Sequence, residues 1–222
     1  LTYGDRREEY LAVRERVGLM DVGTLGRFLI AGRDALRLAD AVFPGRIDDL
    51  APSRSRYVLA LDEAGYVADD GLLCALDDGS YLLTSTSGGA ERMDARLREW
   101  ADRLDLRVHL LDRTSELGAI LVAGPRARDL LHGLTDEPIE PALSYPGHRE
   151  IVVAGIPCRA IRNGFVGELA FELHHPSSRG PELWDALLRA GEAFDVSAFG
   201  LDALEVLRLE KGHVYLGQDT LP

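Results

Sequence analysis

A chain of 222 residues, 46% of them hydrophobic and 28% charged, is long enough to bury a sizeable core, as one large domain or two small ones. Its formal net charge of −12 leaves no basic stripe to neutralise a phosphate backbone, so no nucleic-acid partner is expected. No apolar run approaches the ~18 residues of a membrane span and LTYGDRREEY lacks a signal-peptide pattern, so the expected setting is cytoplasmic, with no membrane partner.

The first predicted element is an amphipathic helix in DRREEYLAVRERVG, with Tyr10, Leu11, Val13 and Val17 on its apolar face. RFLIAGRDALRLADAVFPG, from Arg27, reads as an apolar strand, a glycine turn and a helix. SRYVLALD, from Ser55, is the next strand. DEAG (62–65) and DDGS (77–80) carry Asp and Gly where hairpin turns need positive φ, and they bracket a strand that contains VADDGLLCAL. STSGGA (85–90) precedes the helix ERMDARLREWADR. Ser87 is its expected N-cap, and free amides there could instead hold an anion.

The pattern then recurs. AILVAGPRARDLLHGLTD, from Ala119, repeats the strand–Gly–helix unit about 92 residues after its first appearance. REIVVAGI (from Arg149) answers SRYVLALD, and PELWDALLRAGEA (from Pro181) answers ERMDARLREWADR. The repeat predicts an α+β protein of two pseudo-repeated halves, 1–115 and 116–222, each an antiparallel sheet with packed helices. TDEPIEPALSYPG (135–147) is an irregular connection, and a last helix opens near Gly200 and stops at Gly212.

Two adjacent acids, Asp69 and Asp70, interrupt an apolar strand, and neighbouring strand residues face opposite ways. One of them therefore faces inward, where a carboxylate without a partner is costly. Asp70, set between GYVA and GLLCAL, is read as that buried acid, either functional or a hydrogen-bonded core carboxylate. Laying VADDGLLCAL over FVGELAFELH puts Asp70 roughly where Glu168 or Glu172 lies. Alternation there places Val166, Glu168, Ala170, Glu172 and His174 on one face, which is either solvent or a site. There is no GxGxxG, Walker or GxSxG motif. His174 and His175, being adjacent, cannot converge on a metal from one strand, so no metal is expected. Cys74 and Cys158 read as buried thiols, and Trp100 and Trp184 as core.

Taken in order, VGLMDVGTLGRFLIAGRDAL, DEAGYVADDG, LLTSTSGGAERM, AILVAGPRARDLL, NGFVGELAFEL and LRLEKGHVYLGQDT resemble the glycine cleavage T-protein (aminomethyltransferase) family of folate-binding proteins. The resemblance is greatest to the C-terminal region of heterotetrameric sarcosine oxidase alpha subunits and to dimethylglycine oxidase folate domains. It implies the aminomethyltransferase fold without its C-terminal barrel. It also implies tetrahydrofolate as cofactor, and transfer of a one-carbon unit from an amine or imine such as a sarcosine or dimethylglycine oxidation product. A flavoprotein partner or fused flavin domain is implied in turn. Carried onto this chain, the family's catalytic aspartate is Asp70, with Asp69 beside it. The glutamate that meets the pterin is Glu172, and Phe165, Glu168 and Tyr66 are further folate-binding positions.

Two features depart from the T-protein pattern: Phe165 replaces a tyrosine, and Leu204 falls where an arginine meets the folate tail. Both lean toward the oxidase-associated branch. Separately, KGHVYLGQD has His213 where the related iron–sulfur assembly proteins have a cysteine, and is one residue longer than their motif. A T-protein proper, a non-catalytic folate binder of the assembly type and a folate-dependent demethylase remain the alternatives.

Overall fold

Strand pairing in the computed structural model, which describes residues 1–139 and 143–220, sorts the chain into two sheets belonging to two units. One unit comprises Leu1–Gly23 with Glu116–Val214, and the other Thr24–Ser115 with the residues after Val214. This corrects the expectation of contiguous halves, 1–115 and 116–222. The leading segment joins the second half because its strand completes that half's sheet.

The leading segment is α1 (Arg6–Glu15) followed by β1 (Gly18–Asp21). Asp5 starts the helix, its Oδ1 accepting from the amides of Arg7 at 2.8 Å and Glu8 at 3.1 Å. The residues α1 buries are Glu9, Ala12 and Val13, so the face is less uniformly apolar than the sequence suggests.

The Thr24–Ser115 unit runs β2 (Gly26–Ala31), α2 (Ala35–Val42), β3 (Ser55–Leu61), β4 (Val67–Ala75), β5 (Tyr81–Ser85), α3 (Ala90–Arg103) and β6 (His109–Asp112). The sheet is antiparallel in the order β3-β4-β5-β2-β6. Both hairpin expectations hold. Gly65 and Gly79 take φ of 86° and 82°, and Asp62 Oδ1 accepts from the amides of Ala64 and Tyr66 at 2.9 and 2.8 Å. Phe28, Ile30, Val58, Leu73 and Leu83 form one sheet face, packed with Leu38, Met93 and Leu97 of α2 and α3. Ser87 is not the cap of α3. A single 3₁₀ turn over Ser87–Gly89 precedes that helix, and its cap position is Gly89, with no side-chain hydrogen bond.

The remaining elements are β7 (Leu117–Ala123), α4 (Ala127–His132), β8 (Gly147–Val153), β9 (Ile156–Arg162), β10 (Ala170–Pro176), α5 (Gly180–Gly191), β11 (Ser197–Ala198) and α6 (Leu201–Lys211). Their sheet order is β11-β1-β7-β10-β9-β8, antiparallel except for the β1–β11 pair. One face buries Leu19, Val122, Phe171 and Leu173 with Leu130 of α4 and Leu183 and Leu187 of α5. The other buries Met20, Leu121 and Ala170 with Val13 of α1 and Leu204 and Leu207 of α6. Of the irregular connection expected at 135–147, residues 140–142 lie outside the described residues.

The two sheet orders carry the internal repeat: β3-β4-β5-β2 in one unit has the succession β8-β9-β10-β7 in the other. This overturns the overlay of VADDGLLCAL on FVGELAFELH. By position in the sheet β4 corresponds to β9, whereas Glu172 lies on β10, the counterpart of β5. Residues 163–169 are irregular and Gly167 has φ +82°, so strand alternation holds only from Ala170 onward.

Candidate functional site

The expected site residues fall into two groups, one in each unit. In the Thr24–Ser115 unit, β4 turns its two acids to opposite sheet faces. Asp69 shares a face with Leu73, toward the helices, and is the buried one, only 3% exposed. Its Oδ1 accepts the amide of Asp70 at 2.9 Å and the hydroxyl of Thr86 at 2.7 Å. Its Oδ2 is buried with no hydrogen-bond partner among the described residues. A Cβ added to Gly89 would lie 2.1 Å from that oxygen. Burial pushes the Asp69 carboxyl above the usual carboxylate range, against the opposing pull of the Thr86 hydroxyl, the Asp70 and Thr86 amides and Arg92.

Asp70 is therefore not the buried acid that the sequence suggested. It is only partly buried, on the sheet face turned away from α2 and α3. The hydroxyl of Tyr57, on neighbouring β3, donates to its Oδ2 at 2.5 Å. Partial burial, and then the Asp70 carboxylate itself, push the Tyr57 phenol well above its ordinary value, so it remains a proton donor. Tyr66 lies exposed at the β3–β4 hairpin, its amide bound by Asp62.

In the other unit, Glu172 occupies the middle of β10 with apolar cross-strand neighbours, Leu121 on β7 and Ile161 on β9. Its Oε2 lies 3.2 Å from Nε2 of His174, which is buried two residues along the same face. Among the described residues Oε1 accepts no hydrogen bond. Its side chain, only 14% exposed, is thus a half-satisfied acid in mostly apolar surroundings.

Glu168 does not share that arrangement. It pairs with Arg14 of α1 at 3.0 Å, and the same guanidinium donates to the Val166 carbonyl at 2.7 Å and to Glu210 of α6 at 2.6 Å. Phe165 stacks on His213, with ring centroids 5.1 Å apart and planes 18° from parallel. Glu168 and Phe165 thus hold the 163–169 segment against α1 and the end of α6.

Sequence reasoning missed Tyr57, Thr86, His174 and Arg14 as partners of these acids. The Glu-x-His spacing was a usable signal for His174, because residues i and i+2 of a strand share a face. Arg14 and Thr86 carried none, since their contacts close over long sequence separations. Both cysteines are buried thiols outside any disulfide, with burial pushing the Cys158 thiol up to about 12. Among the described residues, no three His, Cys, Asp or Glu side chains are grouped to hold a metal ion, and no helix is long and apolar enough to cross a membrane.

Residues 4–222 match the family model described as the GCVT N-terminal domain. A Corynebacterium sp. (strain U-96) sarcosine oxidase subunit alpha is 32% identical over 217 residues, covering 96% of this chain and 22% of that protein. An aminomethyltransferase of Streptomyces coelicolor is 33% identical over 219 residues, covering 99% of this chain and 58% of that one. The crystal structure of a Bartonella henselae glycine cleavage system aminomethyltransferase T superposes with a TM-score of 0.80 at 24% identity, over 97% of this chain and 56% of that chain. The chain thus spans about a fifth of its sarcosine oxidase relative and under three fifths of its aminomethyltransferase relative.

Proposed function

The chain belongs to the GCVT N-terminal domain family, and on that premise we propose that it binds tetrahydrofolate and takes part in one-carbon transfer from an amine or imine. The observation that carries the reading is the placement of Asp70. Its carboxylate stands off the sheet face opposite the helices, with Tyr57 donating to one oxygen.

Each unit holds an acid whose chemistry suits a reduced folate. Among the described residues Glu172 has an oxygen with no donor, suited to adjacent N–H groups such as those of a pterin edge. Asp70 is a carboxylate suited to a nitrogen that gains positive charge. The folate, when bound, supplies the nucleophilic nitrogens that accept the one-carbon unit. With a folate bound, Asp70 would stabilise positive charge developing on the transferred carbon and its nitrogen, would take the proton that the attacking folate nitrogen loses, and would return it to the departing amine. Tyr57, kept protonated, fixes the carboxylate so that little reorganisation accompanies the step.

The amine in this reading is a product of sarcosine or dimethylglycine oxidation, delivered by a flavoprotein partner or a fused flavin domain. The sarcosine oxidase relative named above supports it, as does Leu204 at the position where the T-protein pattern has arginine. A calorimetric titration with tetrahydrofolate, beside an assay of methylenetetrahydrofolate formation from formaldehyde-derived iminium, tests it. Saturable binding, with turnover lost by orders of magnitude in Asp70→Asn, is the expected result. Binding without turnover in the wild type would make the chain a folate-binding module, and no binding would remove the proposal.

A further inference from the structure

We infer that His174 is a positioning residue for Glu172, and that its imidazole sets which carboxylate oxygen is offered to the ligand. The inference rests on the folate reading above. The two residues lie two apart on β10 and so project from one face, with His174 Nε2 and Glu172 Oε2 3.2 Å apart. An ionised carboxylate can only accept, so Nε2 carries the hydrogen and donates. Across the strands Glu172 meets Leu121 and Ile161, neither of which has a polar side-chain atom. The neighbour with a polar head, Arg159, lies opposite His174 rather than Glu172. Its guanidinium is engaged on β8, by His148 at 2.9 Å and Glu150 at 2.5 Å.

His174 is 2% exposed, more deeply buried than the carboxylate it contacts. A buried ring with few rotamers is a rigid donor, whereas Glu172 alone could rotate about three χ bonds. The geometry therefore anchors Oε2 from the protein side and leaves Oε1 to an external N–H donor. Without the imidazole, ligand binding would have to order the side chain and offset its desolvation, which weakens affinity while leaving later chemistry untouched.

The test uses the full chain with His174→Leu, His174→Gln, Glu172→Gln and the double variant His174→Leu with Glu172→Gln. Tetrahydrofolate affinity is read by calorimetry, and imidazole nitrogen shifts by NMR on the ligand-free protein. Expected is a loss of about 10- to 100-fold in affinity for His174→Leu, with partial rescue by His174→Gln, whose amide nitrogen reaches the position of Nε2 and can still donate. In the Glu172→Gln background, His174→Leu should cost little more, because the histidine acts through that carboxylate. The His174 nitrogen shifts should also move in Glu172→Gln without ligand. Wild-type affinity in His174→Leu, or an equal loss in both backgrounds, overturns the inference and leaves the folate reading intact. Failure of the wild type to bind tetrahydrofolate overturns both.

Discussion

Asp70 donates its amide to the carboxylate of Asp69 at 2.9 Å while pointing its own carboxylate to the opposite face of β4. One acid is thereby built into the strand as an internal acceptor, and the other stands clear of the helices with Tyr57 as its donor. The two variants should separate accordingly. Asp70→Asn should leave the fold within about 0.5 kcal/mol of wild type in urea denaturation, as for a substitution outside the core, while removing turnover. Asp69→Ala should lower stability by about 1–3 kcal/mol, since it strands the Thr86 hydroxyl and the Asp70 amide in a partly buried setting.

The buried acid also predicts a pH dependence. Burial raises the folded-state carboxyl of Asp69 above its ordinary 3.8, so between those values the folded chain holds a proton that the unfolded chain releases. Stability from this group is greatest below 3.8 and falls as pH rises through the folded value. Urea midpoints of wild type and Asp69→Asn, measured from pH 4 upward, should diverge in favour of the variant as pH rises.

Glu9 predicts the opposite slope. Burial pushes its carboxyl up, but the Thr2 hydroxyl and the amides of Gly200, Gly4 and Tyr3 outweigh that and hold it below its ordinary 4.5. Its contribution is full above 4.5 and is lost as pH falls through the folded value. Glu9→Gln should lose about 1–3 kcal/mol at neutral pH, and the gap to wild type should close in acid.

Gly89 is fixed by Asp69 rather than by its backbone angles. An alanine methyl there would meet Asp69 Oδ2 at 2.1 Å and Thr86 Oγ1 at 2.6 Å. Gly89→Ala should cost about 1–3 kcal/mol, and Asp69→Ala in the same chain should return part of that loss. Additive losses in a double-mutant cycle would contradict the contact.

Arg14 ties α1, α6 and the 163–169 segment through Glu210, Val166 and Glu168. Arg14→Met keeps the aliphatic stem but removes all three links. Amide exchange at Val166–Glu168 should accelerate about tenfold or more, with β7 and β10 amides unchanged, because local opening precedes global unfolding in such segments.

Much of this architecture was legible in the sequence. Asp62–Gly65 and Asp77–Gly79 announced their hairpins because turn chemistry is local. The apolar periods of residues 27–31 and 119–123 announced β2 and β7, and the repeat announced two sheets of similar build. The destination of residues 1–23 was not legible, because β1 pairs with β7 and β11 over long separations that no local pattern encodes. The same limit hid which acid of the Asp69–Asp70 pair is buried. Alternation says that they differ, but only the position of α3 and Gly89 decides which one meets the helices. Glu168 was misplaced beside Glu172 because a strand period was extended through Gly167, whose left-handed backbone breaks it.

The interior position of β1, between β7 and β11, has a consequence for synthesis on the ribosome. The strand emerges roughly a hundred residues before its antiparallel partner, and later still before β11. Meanwhile Thr24–Ser115 can be delivered without interruption, so its five-stranded sheet has every strand in hand first. Nascent chains arrested once Ser115 has cleared the ribosomal exit tunnel should therefore show a protease-resistant core confined to that segment, with Leu1–Gly23 still open to cleavage.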